Sequence, residues 1–198
     1  QHTVVMNGLD TGVFYPREVG AVKSELGIAD EKIIFHVTPN FNNDPDYIKG
    51  GYYIIKLAEM LKGENVKIIA AGSYPENLKV PDNILLLGKV SDQNRLAELY
   101  SMADITVIAS KRETFSMVCA ESLCCGTPVA GFKAGGPEAI SLDKYSRFVD
   151  YGDLKSLYTA VNDLLREARN GEKISKDASA AYGSRVMSEN YINIYRSF

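Results

Sequence analysis

The chain has 198 residues and a formal net charge of −3, a length that suits one α/β domain burying about 70% of its unfolded surface. That balance supplies no basic field for nucleic acid or an anionic membrane. The longest apolar stretches are strand-sized, so neither a signal peptide nor a membrane-spanning helix is expected.

The chain opens at Gln1 rather than Met and runs almost at once into a short apolar strand, residues 3–6, as expected of a piece cut from a longer protein. Asn7 and Gly8 supply the tolerance of positive φ that a tight turn needs. Residues 17–26 are expected as a helix ended by Gly27. Residues 32–38 (KIIFHVT) read as the first core strand, with His36 packed inside it rather than acting as a ligand. A polar loop, residues 40–51, carries Lys49 to the start of a helix over 52–61. Ile54, Ile55, Leu57, Ala58 and Leu61 give that helix an apolar stripe. Residues 66–72 and 83–87 read as the second and third strands, and Asp92 is a good N-cap for a helix over 93–102.

A fourth strand over 104–109 leads into a loop carrying Glu113, then an apolar helix over 115–125 closed by Gly126 as its C-cap. Residues 128–132 are the next buried strand, and Gly135–Gly136 opens a turn. Residues 147–150 form the last strand, followed by helices over 153–169, 173–182 and 185–198. Cys119, Cys124 and Cys125 share the one apolar helix. Adjacent and i+5 spacings with no histidine nearby do not fit a tetrahedral zinc site, and they read as reduced core residues of a cytosolic protein. Strands alternating with helices make a doubly wound parallel sheet, a Rossmann-like α/β fold, the economical architecture.

Glu113 and Glu121 are separated by seven residues. Glu113 lies at a strand's carboxyl end, where open α/β sheets bind ligands. Glu121 lies two turns into the helix, roughly 9 Å along it at about 1.5 Å per residue. Its neighbours Met117, Val118, Leu123 and Cys124 are apolar, and a part-buried carboxylate needs a partner. The free N–H groups of Thr114 to Met117 suit a phosphate. A side chain and a set of amides thus converge on an anionic ligand bearing hydroxyls. A loop glutamate and an unrelated helix glutamate give the same spacing, so the pair alone does not decide.

The run ETFSMVCAESLCCGTPVAGFKAGGPE resembles the E-x7-E signature of family 4 of the retaining glycosyltransferases, with Phe115, Gly126, Pro128, Val129, Gly135, Gly136 and Glu138 at the family's offsets. It departs at Ser116, usually Gly, and Ser122, usually Ala. The Ser116 side chain falls where backbone meets the donor sugar. Asn7 to Pro16 resembles the family's N-G-V-D-x-x-x-F-x-P segment, which begins the C-terminal half, with Phe14 and Pro16 in register. Lys49 matches the lysine of G-R-x-x-x-x-K-G. The arginine of that motif has no counterpart; Thr38, Pro39 and Asn40 stand around its place, and Asn40 or Asn42 would substitute with a neutral hydrogen bond. Charged hydrogen bonds contribute about 1.5–3 kcal/mol and neutral ones about half that, so weaker diphosphate binding than the family norm is expected.

The resemblance implies the C-terminal half of a GT-B enzyme. Residues 1–184 would form the nucleotide-sugar-binding domain, and the helix over 185–198, with Tyr191, Ile194 and Tyr195 on one side, would brace an N-terminal half. The implied activity is transfer of a sugar from a nucleoside-diphosphate sugar to an acceptor hydroxyl with retention. Glu121 would accept from the ribose hydroxyls and Glu113 from those of the donor sugar. Lys49 and the amides of Thr114, Phe115, Ser116 and Met117 would hold the diphosphate, and the main chain at Val90 would meet the nucleobase. No metal or other cofactor is implied. The acceptor glycan or glycolipid would be held by the other half, in a cytoplasmic enzyme with room for peripheral contact with the membrane's inner face. A nucleotide-sugar epimerase and a non-catalytic nucleotide-binding module of the same fold remain as alternatives.

Overall fold

The computed structural model describes residues 4–197. Six strands form one sheet: β1 (Lys32–Asn40), β2 (Val66–Ser73), β3 (Ile84–Gly88), β4 (Ile105–Ile108), β5 (Val129–Phe132) and β6 (Ser146–Val149). All pair in parallel, in the order β3-β2-β1-β4-β5-β6. Around the sheet lie α1 (Gly20–Glu25), α2 (Gly51–Met60), α3 (Gln93–Met102), α4 (Met117–Cys124), α5 (Gly136–Ile140), α6 (Leu154–Arg166), α7 (Gly171–Tyr182) and α8 (Ser184–Arg196).

The strands are near-continuous apolar runs because both faces of the sheet are covered. From β1, Ile33 and Phe35 pack into the layer with Tyr100 of α3 and Leu123 of α4. Ile34 packs into the opposite layer with Ile54 and Leu57 of α2 and Leu157 of α6. The sequence runs outward from β1 to β2 and β3 on one side, then returns to β4, β5 and β6 on the other. That reversal opens a crevice beyond the carboxyl ends of β1 and β4, where such sheets bind ligands.

Several boundaries differ from the sequence expectation. Val4 to Met6 form no strand, and Thr3 lies outside the described residues. Leu9 makes the contact instead: its N–H donates to Tyr182 O at 2.7 Å, and its carbonyl accepts from Ser184 N at 2.9 Å. Gly8 is not at positive φ; it is needed because a Cβ there would lie 2.6 Å from Ser184 Cα. Helix α1 begins at Gly20, since the Arg17 N–H is held by Ser101 Oγ on α3 at 3.1 Å. β1 runs on to Asn40 because it stays against β2 past Thr38. The turn expected at Gly135–Gly136 opens the short helix α5. α8 ends at Arg196 with no buried residue, exposing Tyr191, Ile192 and Tyr195; Phe198 lies outside the described residues.

Candidate functional site

The site is built from three loops at the carboxyl ends of β1, β4 and β5. The loop after β4 rests on the loop after β5. Glu113 N donates to Ala134 O at 2.9 Å, and Gly136 N donates to Glu113 O at 3.0 Å. A Cβ at Gly136 would come within 2.8 Å of the Thr114 carbonyl carbon, so only glycine allows that contact. Glu138 secures the second loop by accepting from Ala134 N at 2.9 Å and Gly135 N at 2.7 Å. The paired glycines and Glu138 therefore hold the ledge that carries Glu113.

Lys49 arrives from the other side. Gly50 has φ 71°, and a Cβ on it would lie 2.0 Å from Ala109 O, so the turn sits directly on the end of β4. Lys111 N donates to Ile48 O at 2.8 Å and fixes the contact. The result is an ion pair between Lys49 Nζ and Glu113 Oε1 at 2.7 Å, with side chains 27% and 18% exposed. Two residues that are 64 apart in the chain meet at one point.

Helix α4 begins beside this pair. Its N-cap, Ser116, has φ 73° and ψ 79° and is the one positive-φ residue other than glycine among the described residues. The amides of Thr114, Phe115, Ser116 and Met117 make no hydrogen bond to protein among the described residues. Residues 114–117 line a cavity, and unpaired amides at the start of a helix suit an anion. The C-terminus of α4 is closed as expected: Gly126 has φ 79°, its N–H donates to Leu123 O, and Thr127 N donates to Ser122 O, both at 2.9 Å.

A cavity of about 300 Å³ is lined by Lys49, Glu113, residues 114–118, Pro39 and His36. A second, of about 370 Å³, is lined by Val90, Lys89 and Gly72. Val37, Pro39 and Val118 border both. Val90 thus lines a cavity adjacent to the one that Lys49 lines. Asn40 borders neither cavity: it is exposed at the end of β1, with its Oδ1 3.5 Å from Asn42 Nδ2.

Glu121 lies one turn along α4 from Val118, half-buried. Because α4 starts at Met117, it is one turn into the helix rather than two, and it borders neither cavity. Burial raises its pKa, and a hydrogen bond opposes the rise: Tyr100 Oη donates to Glu121 Oε2 at 2.8 Å. No ion pair or second hydrogen bond engages this carboxylate among the described residues. Tyr100 was not singled out in the sequence. The available signal was that a tyrosine on the apolar face of α3 must find a partner for its hydroxyl.

His36 is buried in β1 as expected, yet it also borders the cavity. Its Nδ1 lies 2.9 Å from Val107 O, its Nε2 has no partner among the described residues, and burial pushes its pKa down to about 4. Ser122 is a core residue, its Oγ 2.9 Å from Thr127 O and 2.8 Å from Thr106 Oγ1. The three cysteines are buried and unpaired, and burial pushes each thiol up to about 12. Among the described residues there is no cluster of three or more metal-ligating side chains, and no helix is long and apolar enough to cross a membrane.

The chain is similar to known proteins over most of its length. N-acetyl-alpha-D-glucosaminyl L-malate synthase of Bacillus anthracis is 27% identical over 205 residues, covering 98% of this chain and 52% of its own length. The chain spans about half the length of the curated relatives it matches. The structure of Anabaena HepE in complex with UDP and glucose superposes with a TM-score of 0.81 at 19% identity, over 99% of this chain and 57% of that one. The C-terminal domain of a glycosyl transferase group 1 family protein from Francisella tularensis superposes with a TM-score of 0.68 at 21% identity, over 93% of this chain and 98% of that one. Residues 23–181 match the family described as glycosyl transferases group 1, and the chain belongs to that family of GT-B glycosyltransferases.

Proposed function

We propose that the chain is the donor-binding half of a retaining glycosyltransferase that moves a sugar from a nucleoside-diphosphate sugar to an acceptor hydroxyl in polysaccharide or glycolipid assembly. What supports this most is the meeting of Lys49, Glu113 and the open amides of α4 on one cavity, at the point where the strand order reverses. In this reading the diphosphate takes the amides of Phe115 to Met117 and the Lys49 ammonium, which stabilise the charge that develops as it leaves. Glu113 accepts from hydroxyls of the donor sugar and faces the developing cationic ring. The nucleoside runs toward Val90, and the free oxygen of Glu121 accepts from the ribose. The transfer then needs no metal or other cofactor.

The acceptor wall of the cleft belongs to a further half of the enzyme, of the size by which the relatives exceed this chain. The apolar face of α8 is the surface that half covers. Such an enzyme works in the cytoplasm, beside the membrane where its acceptor is a glycolipid. Calorimetry of the chain with UDP, GDP and ADP tests the donor reading. One nucleotide is expected to bind, and more weakly to a Glu121→Ala variant. Equal affinity in both would remove the ribose assignment.

A further inference from the structure

Four buried side-chain nitrogen or oxygen atoms have no hydrogen-bond partner among the described residues; they belong to Arg17, His36, Ser116 and Ser146. Two of these residues, His36 and Ser116, border the same cavity, the one that holds Lys49 and Glu113. Folded chains leave few buried polar atoms unpaired, because each gives up its hydration without replacement. Their coincidence at one cavity points to a ligand that completes the bonding.

The chemistry of the two atoms narrows that ligand. Val107 O can only accept, so His36 Nδ1 must carry the proton and Nε2 presents a lone pair. The ring stays neutral at physiological pH, because burial and the nearby Lys49 both disfavour the imidazolium. A lone pair faces a phosphate oxygen unfavourably and an O–H favourably. Ser116 is 6% exposed and held in the left-handed region, where glycine would sit without strain. Its hydroxyl turns about a single bond, so it can swing toward the cavity that its residue borders.

We propose that Ser116 and His36 form a neutral hydrogen-bonding subsite that selects the donor sugar through an uncharged ring hydroxyl, separate from the Lys49 and amide contacts that take the diphosphate. The inference rests on the donor-half reading and adds two specificity-determining side chains to it.

The experiment compares affinities of the 198-residue chain for UDP and UDP-glucose, GDP and GDP-mannose, and ADP and ADP-glucose. Ser116→Ala keeps the Cβ and the backbone but removes the hydroxyl. It is expected to lower the ratio of sugar-nucleotide to nucleotide affinity about three- to tenfold, as loss of a neutral hydrogen bond does. Ser116→Gly is expected to lower the ratio equally while raising the midpoint of thermal unfolding, a combination that a packing role would not produce. His36→Phe is expected to lower the ratio as well; should it fail to fold, the Ser116 pair decides. A ratio unchanged in Ser116→Ala overturns the subsite while the donor half stands. A chain that binds none of the six probes removes the donor-half reading and the subsite with it.

Discussion

The Tyr100 hydroxyl donates to Glu121 Oε2 at 2.8 Å, tying α3 to α4 behind the cleft. The tyrosine ring is fully buried, set edge-on against Phe35 with centroids 5.1 Å apart. A donor this rigid leaves the second carboxylate oxygen in one orientation and holds the ionised form against burial. Tyr100→Phe removes that bond. Nucleotide affinity at neutral pH is expected to fall by up to about tenfold. Because Tyr100 lowers the Glu121 pKa, the loss of affinity on acidification should begin at a higher pH in the variant. Calorimetric titrations across pH measure both effects.

Glu121 itself works against folding at neutral pH. Its folded pKa is raised, mainly by burial. A carboxylate shifted upward binds its proton more tightly in the folded state, so its contribution is favourable in acid and is lost as pH rises through the folded value. Glu121→Gln should therefore raise the thermal midpoint near pH 7. It should also weaken nucleotide binding about tenfold to hundredfold, the scale of a lost charged hydrogen bond. A lower midpoint would mean that the carboxylate is kept for structure.

The Lys49–Glu113 pair places two binding groups in each other's hands before any ligand arrives. A diphosphate must draw Lys49 away from Glu113. Glu113→Gln weakens that competition, so nucleoside-diphosphate affinity should rise by up to about fivefold, within the small energy of a solvent-accessible pair. Sugar transfer by the longer enzyme should fall in the same variant. Lys49→Met should instead lower nucleotide affinity, and parallel losses in both variants would contradict the competition.

His36 sets an acid limit on stability. Its folded pKa is about 4, well below the ordinary 6.5, chiefly through burial. The folded state therefore resists protonation, and its stability falls as pH drops from about 6.5 to about 4, by on the order of 3 kcal/mol in full. Chemical denaturation across that range should show a shallower decline in His36→Phe than in the parent. An equal slope in both would show that other groups dominate.

Much of this protein was legible in its sequence. All six strands were expected near their observed places, because apolar runs of strand length alternate with stripes of helical period. The C-terminal end of α4 was marked by Gly126, whereas its start was expected at Phe115 and lies at Met117; Gly135 and Gly136 marked a turn where the chain changes direction. These are local signals, carried by residues a few positions apart. The missed features are contacts between distant residues: Tyr100 with Glu121, 21 apart, and His36 with Val107, 71 apart. Gly8 was misread for the same reason, as a local turn residue, when Ser184 on a remote helix is what leaves it no room. The pattern of one segment records its period and its caps. Which side chain then meets the free oxygen of a glutamate, or leaves a histidine nitrogen without a partner, is settled only when the parallel sheet brings its loops to one end.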